Sequence, residues 1–152
     1  MLGMSRNYVD SVLIGCSAPT PMSNHGERVL HWFRSDLRLR DNSGLAAAGR
    51  ARELALLFVL DERLLAADAL GPPRLRFLLD SLARLGAALE GRGQRLLIAR
   101  GRPETVIPAL LRDGRIERIT WNRDYGPFAR RRDAAVRRTA DALDVAVDEN
   151  RV

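Results

Sequence analysis

Lysine is missing: all 25 basic residues in this 152-residue chain are arginine. That changes how the net charge of +6 and the pI near 11.0 are read. An arginine-only set beside abundant Ala, Leu and Gly looks like GC-rich coding, so the charge argues only weakly for nucleic acid or other anionic partners. Cysteine occurs once, at Cys16, which excludes an intrachain disulfide and a multi-cysteine metal centre. "VLIGC" ending at Cys16 looks superficially like a lipoprotein cleavage site, but Arg6, Asn7 and Asp10 interrupt the apolar stretch such a signal needs. No run approaches the roughly 18 apolar residues of a membrane span. The expectation is a reduced thiol in a cytoplasmic protein with no membrane partner.

Chemistry-bearing patterns are scarce as well. No G-x-G-x-x-G follows the first apolar run, and no G-x-x-x-x-G-K-[ST] or G-x-S-x-G occurs. The two histidines, His25 and His31, form no ligand cluster. His31 falls within an apolar run and reads as a hydrogen-bonded core residue. Aromatic residues make up 5% of the chain. Trp32, Trp121 and Phe77 are expected in the core, whereas Tyr125 and Phe128 sit where a ligand would be touched.

What is present is a regular alternation. Residues 1–28 show no sustained period and contain "SAPTPMSNHGE", which predicts a disordered extension, with Met22 as an alternative start. From residue 29 to 152 the chain reads as one domain. "VLHWF", "ELALLFVL", "RLLIA" and "RITWN" are short apolar runs of the length of buried strands, and "VAV" at 145–147 is a shorter fifth. Between them, 72–90 places Leu75, Leu78, Leu79, Leu82, Leu85 and Leu89 on one stripe. Pro103 and Glu104 open another helix. A last one, from about Pro127 to Leu143, turns Ala129, Val136, Ala140 and Leu143 inward and Arg130, Arg131, Arg137 and Arg138 outward. Strands alternating with helices predict an α/β fold: a Rossmann-like, doubly wound parallel sheet of about five strands in three α/β/α layers. Ligands in such folds bind outside the carboxyl ends of the strands. The loops to inspect are therefore Arg34 to Asp41, Asp61 to Arg63, Arg100 to Arg102 and Asn122 to Gly126, all polar and charged. They are suited to holding a ligand and contain no constellation for breaking a bond.

The loop after the first strand is unusual in its density of charge. "WFRSDLRLRDN" (32–42) resembles the opening signature of the photolyase/cryptochrome family. "LFVLDERLL" (57–65) and "WNRDYGPFARRRD" (121–133) resemble the family's second-strand exit and the stretch after its fourth strand. The three lie in the family's order and span nearly all of 29–148. In this loop Asp36, Arg38 and Asp41 are expected to pair with one another, with Asp41, Asn42 or Ser43 as the N-cap of the helix that follows.

The resemblance implies the amino-terminal α/β domain of such a protein, which holds a light-harvesting antenna chromophore. In the family that antenna feeds FAD in a following all-helical domain, where pyrimidine dimers in DNA are repaired or, in cryptochromes, light is signalled. The expectation is that the FAD-binding helical domain is missing from this chain, so that it is not a repair-competent lyase by itself and reaches DNA only weakly or through that domain. Folate-binding members are similar in carrying Asn-Glu where this sequence has Phe128-Ala129, which makes a folate the less expected antenna. Deazaflavin-binding members match at Asp61, Arg74 and Asp124, with Arg34 nearby. These four are the expected cofactor-binding residues, for 8-hydroxy-5-deazaflavin or a flavin. The alternative is a free-standing nucleotide- or flavin-binding module built on the same loops.

Overall fold

The computed structural model describes residues 27–63 and 71–151. The expected amino-terminal extension, Met22 and Cys16 lie outside the described residues, apart from the last two positions of the extension. Among the described residues five strands and four helices alternate in chain order: β1 (Arg28–Phe33), α1 (Ser43–Ala48), β2 (Glu53–Leu60), α2 (Pro72–Glu90), β3 (Leu96–Arg100), α3 (Pro103–Asp113), β4 (Arg118–Asn122), α4 (Pro127–Ala142) and β5 (Ala146–Asn150). All strand pairs are parallel, in the order β3-β2-β1-β4-β5.

Alternation of side chains along each strand divides the interior in two. Leu30, Trp32, Leu57, Val59, Ile119 and Trp121 face α3 and α4, meeting Val106, Ile107, Leu111, Val136 and Ala140. Phe33, Leu56 and Phe58 point the other way, onto Leu82, Leu85 and Leu89 of α2 and Leu45 of α1. The central strand β1 is buried from Val29 to Phe33 because a strand with neighbours on both sides and helices on both faces has no wet side. On α2 the buried stripe is narrower than the leucine spacing suggests. Leu82, Leu85 and Leu89 are buried, Leu79 is 49% exposed and Phe77, expected in the core, is 74% exposed. Both lie about 100° round the helix from Leu78, on opposite sides, beyond the arc that touches the sheet.

The three long helices start alike, with proline at N1 or N2 and no side-chain cap. Helix α1 differs. It has six residues, too few to be stable from propensity alone, and its N-cap Asn42 accepts the Leu45 N–H at 2.9 Å. Its second residue, Gly44, is buried where α1 crosses β1 and β4. A Cβ there would meet Asn122 Oδ1 at 2.8 Å, His31 Cε1 at 3.1 Å and the Trp121 carbonyl carbon at 3.2 Å.

Gly44→Ala is therefore expected to destabilise by about 1–3 kcal/mol through overpacking. Gly86→Ala, in α2 with open space at the added Cβ, is expected to stabilise by about 0.5–1 kcal/mol. Urea denaturation of the two variants measures both signs.

Candidate functional site

Strand order reverses between β1 and β4, so the loops leaving these strands part there and open a crevice at the carboxyl edge of the sheet. Asn122, the last residue of β4 and 3% exposed, spans it. Its Oδ1 accepts from the Gly44 N–H at 2.8 Å and from the Ser43 hydroxyl at 3.1 Å. Its Nδ2 donates to Asn42 Oδ1 at 2.7 Å and to Asp36 Oδ2. Asp36 also receives the Arg34 backbone N–H at 3.1 Å. The charged loop is thus tied to the neighbouring strand by amides rather than by its own arginines. The expected pairing of Asp36 with Arg38 and Asp41 does not form. Among the described residues Arg38, Arg40 and Asp41 are exposed and make no ion pair, and Asp41 turns the chain at φ +50°. Of the three cap candidates it is Asn42 that caps, because Asp41 spends its conformation on that turn.

Arg34, just past β1, points inward and is 7% exposed. Its Nη1 donates to both oxygens of Asp133 at 2.6 Å. The same carboxylate accepts from Nε and Nη2 of Arg132 at 3.1 Å. Both guanidiniums lie near the Trp32 ring, 5.3 Å and 5.0 Å from its centroid. Burial lowers the Arg132 pKa and neighbouring Arg34 adds to this, opposed by Asp133 and Asp124. A buried arginine and a partly buried one share one buried carboxylate, and Nε and Nη2 of Arg34 have no hydrogen-bond partner.

A second cluster stands at the end of β2. Asp61, 2% exposed, holds Arg63 through its backbone N–H (3.0 Å), Nε (3.0 Å) and Nη2 (2.7 Å). Arg63 forks onto Glu104 of α3 with two 3.0 Å bonds and lies 4.8 Å from the centroid of the Phe128 ring. Burial pushes the Asp61 carboxyl up, but the bonds and charge of Arg63, with Arg132 behind, bring it below the usual range. Beside α4, Asp124, Tyr125, Arg130 and Glu149 help line a cavity of about 330 Å³ that reaches Asp133. Among the described residues no group of His, Cys, Asp and Glu could hold a metal. The edge offers hydrogen-bond donors, acceptors and aromatic surface, and no activated nucleophile.

Residues 29–151 match the family model for DNA photolyase. The chain belongs to the photolyase/cryptochrome family. Over 121 residues, 79% of this chain and 21% of its relative, it is 40% identical to Cryptochrome-2 of Gallus gallus. Over 127 residues, 77% of this chain and 26% of the relative, it is 40% identical to a deoxyribodipyrimidine photo-lyase of Halobacterium salinarum. Among solved structures it resembles an archaeal photolyase from Sulfolobus tokodaii, described with two FAD molecules that imply a novel light-harvesting cofactor (TM-score 0.72, 28% identity, 82% of this chain and 29% of that one). It also resembles a cryptochrome of Synechocystis (TM-score 0.77, 27% identity, 84% of this chain and 28% of that one). The photolyase-type domain therefore spans about a fifth to a quarter of the curated relatives it matches.

Within this photolyase-type domain the four expected cofactor residues make no direct hydrogen bond or ion pair with one another, while Arg34, Asp61 and Asp124 all act electrostatically on or feel Arg132. Arg34 is engaged by Asp133, Asp61 by Arg63, and Asp124 lies half-buried at the cavity, accepting the Gly126 N–H at 3.3 Å. Arg74 is exposed in the first turn of α2, and among the described residues no hydrogen bond or ion pair joins it to the other three. Sequence reasoning missed Arg132 and Asp133. Their signal was an acid at a position of α4 that faces the core with Ala129, Val136 and Ala140, where an unpaired charge does not survive. The four arginines assigned to the outer face of α4 divide. Arg137 reaches Glu149 at 3.0 Å, while Arg130, Arg131 and Arg138 form no ion pair among the described residues.

His31 lies beneath the Asn122 network, wholly buried, with Nδ1 2.8 Å from Thr120 Oγ1, as a core histidine should. Burial lowers its pKa from 6.5 to about 4, with Arg34 adding to the effect and Asp36 opposing it. The folded state thus refuses a proton that the unfolded chain accepts. This contribution to stability is complete above pH 6.5, declines as pH falls toward 4, and changes no further below that. It is worth on the order of 3 kcal/mol. Urea denaturation between pH 7 and 4 is expected to show that loss in the parent protein and a correspondingly shallower one in His31→Gln; parallel curves would contradict it.

Proposed function

We propose that this photolyase-type domain holds an antenna chromophore of the deazaflavin or flavin type at its carboxyl edge. The observation that carries the reading is Arg34, whose Nε and Nη2 are buried without a partner at the switch point of the sheet. A buried donor left unmade costs about 1–3 kcal/mol. Ring carbonyl oxygens or a ring nitrogen would satisfy it once the side chains covering Arg34 part to admit them. The surrounding groups suit such a ligand: Asp61 and Asp124 as acceptors for ring N–H or ribityl hydroxyls, Arg34 and Arg74 as donors, and exposed Tyr125 and Phe128 as apolar cover. When bound, the ring supplies absorption of near-ultraviolet or blue light and passes on the excitation.

The residues of this chain do the binding and orienting. Asp133 fixes Arg34 and Arg132 against Trp32, and Glu104 with Asp61 fixes Arg63 beside Phe128, so the donors are held before a ligand arrives. Position 128–129 carries no carboxylate for a folate's pterin. The domain itself is proposed to take the antenna step only. FAD-dependent repair of pyrimidine dimers, or light signalling, is proposed for a protein that joins such a domain to an FAD-binding helical domain.

Fluorescence titration of the chain with 8-hydroxy-5-deazaflavin tests the reading. Saturable binding is expected, weakened about tenfold or more by Asp124→Ala, which removes a hydrogen bond to the ligand. It should also resist competition by ATP. Competition by ATP would favour a general nucleotide-binding module, and the absence of saturable binding would overturn the assignment.

A further inference from the structure

On the face of the sheet away from α3 and α4, the loop after β1 runs beside α2 and leaves a groove of about 510 Å³. Its floor is apolar: Leu37 and Leu39 from the loop, Leu85 and Ala88 from the helix. Its rim is cationic: Arg38 and Arg40 on one side, Arg84 and Arg92 on the other. Among the described residues no carboxylate lines the groove, and the guanidiniums of Arg38, Arg40 and Arg84 make neither ion pair nor hydrogen bond. Arg92 is held along the rim by the Ala88 carbonyl at 2.7 Å. Elsewhere on this domain arginines find carboxylates readily, as Arg28, Arg63, Arg118 and Arg137 do. Arg130, Arg131 and Arg138 on α4 are unmatched too, so what distinguishes this place is that its unmatched arginines flank an apolar trough.

We propose that this groove is a docking site for an acidic amphipathic helical segment of a protein partner. Its apolar side chains would lie on the leucine floor and its carboxylates would meet the four rim arginines. The floor argues against a nucleic-acid backbone, which would cover apolar surface with phosphates and gain nothing from Leu37, Leu39 and Leu85. The two rims argue for a rod lying between them, which is how an amphipathic helix enters a groove. Arginine suits the task, since its planar fork pairs with carboxylates at modest desolvation cost. Residues 1–26 carry a single carboxylate, Asp10, which does not match four arginines. The proposal is independent of the chromophore reading, because the groove shares no residue with Arg34, Asp61, Arg74 or Asp124.

Fluorescence anisotropy on the full chain tests this with a fluorescein-labelled synthetic helix of leucines spaced i, i+3, i+4 and i+7 among glutamates. Saturable binding is expected with a Kd on the order of 100 µM or tighter. It should weaken at least tenfold in Arg38→Glu/Arg84→Glu, whose exposed substitutions are checked for folding by circular dichroism. It should change less than twofold in Arg130→Glu/Arg131→Glu/Arg138→Glu, which removes the same kind of charge from the other face. A peptide of the same composition with its leucines scattered round the helix should bind at least tenfold more weakly. Equal binding of the two peptides, a larger loss from the α4 variant, or no saturation would each overturn the proposal. So would a DNA duplex that binds more tightly than the helix and loses its affinity in the rim variant.

Discussion

A single side-chain amide, that of Asn122, holds the carboxyl edge of this domain together. It closes the gap that a doubly wound sheet must leave where its strand order reverses. One face of the amide accepts from the start of α1, and the other donates to Asn42 and Asp36 in the loop leaving β1. Helix α1 has six residues and needs help from outside itself to stay helical. Gly44 lets it come close enough to β4 for the amide to reach its backbone, and Asn42 caps it. The charged loop is then fixed, which sets where Arg34 enters the interior and how Leu37 and Leu39 lie against α2.

Around that fixed point the edge is organised by charge pairing, buried at Arg34, Asp133 and Asp61 and partly exposed at Arg63 and Glu104. Asp133 serves two arginines, and Arg63 serves two carboxylates. Removing one partner from a buried set strands the others, so these groups are strongly interdependent. The arrangement is rigid and rich in donors. It contains no strained nucleophile and, among the described residues, no metal-ligating cluster.

Much of the architecture was legible in the residues. Apolar runs of strand length marked every strand to within a few positions, and prolines at 72, 103 and 127 marked the starts of three helices. The motif "WFRSDLRLRDN" carried the family. What was not legible is the pairing of charges, because it joins residues about a hundred positions apart: Arg34 with Asp133, and Asp36 with Asn122. Local reasoning paired Asp36 with its neighbours and placed Phe77 in the core. Long-range geometry decided both otherwise. Asn122 itself looked like an ordinary loop residue, since nothing in a linear sequence says which amide will face a topological gap.

Native-state hydrogen exchange on Asn122→Asp addresses the central claim directly, since this change keeps the acceptor for α1 but turns the donor into a carboxylate facing Asp36. The amides of Gly44, Leu45 and Ala46 are expected to lose at least about tenfold of their protection while those of β2 and α3 keep theirs. Unchanged protection in α1, or an equal loss in every element, would contradict the role assigned to Asn122.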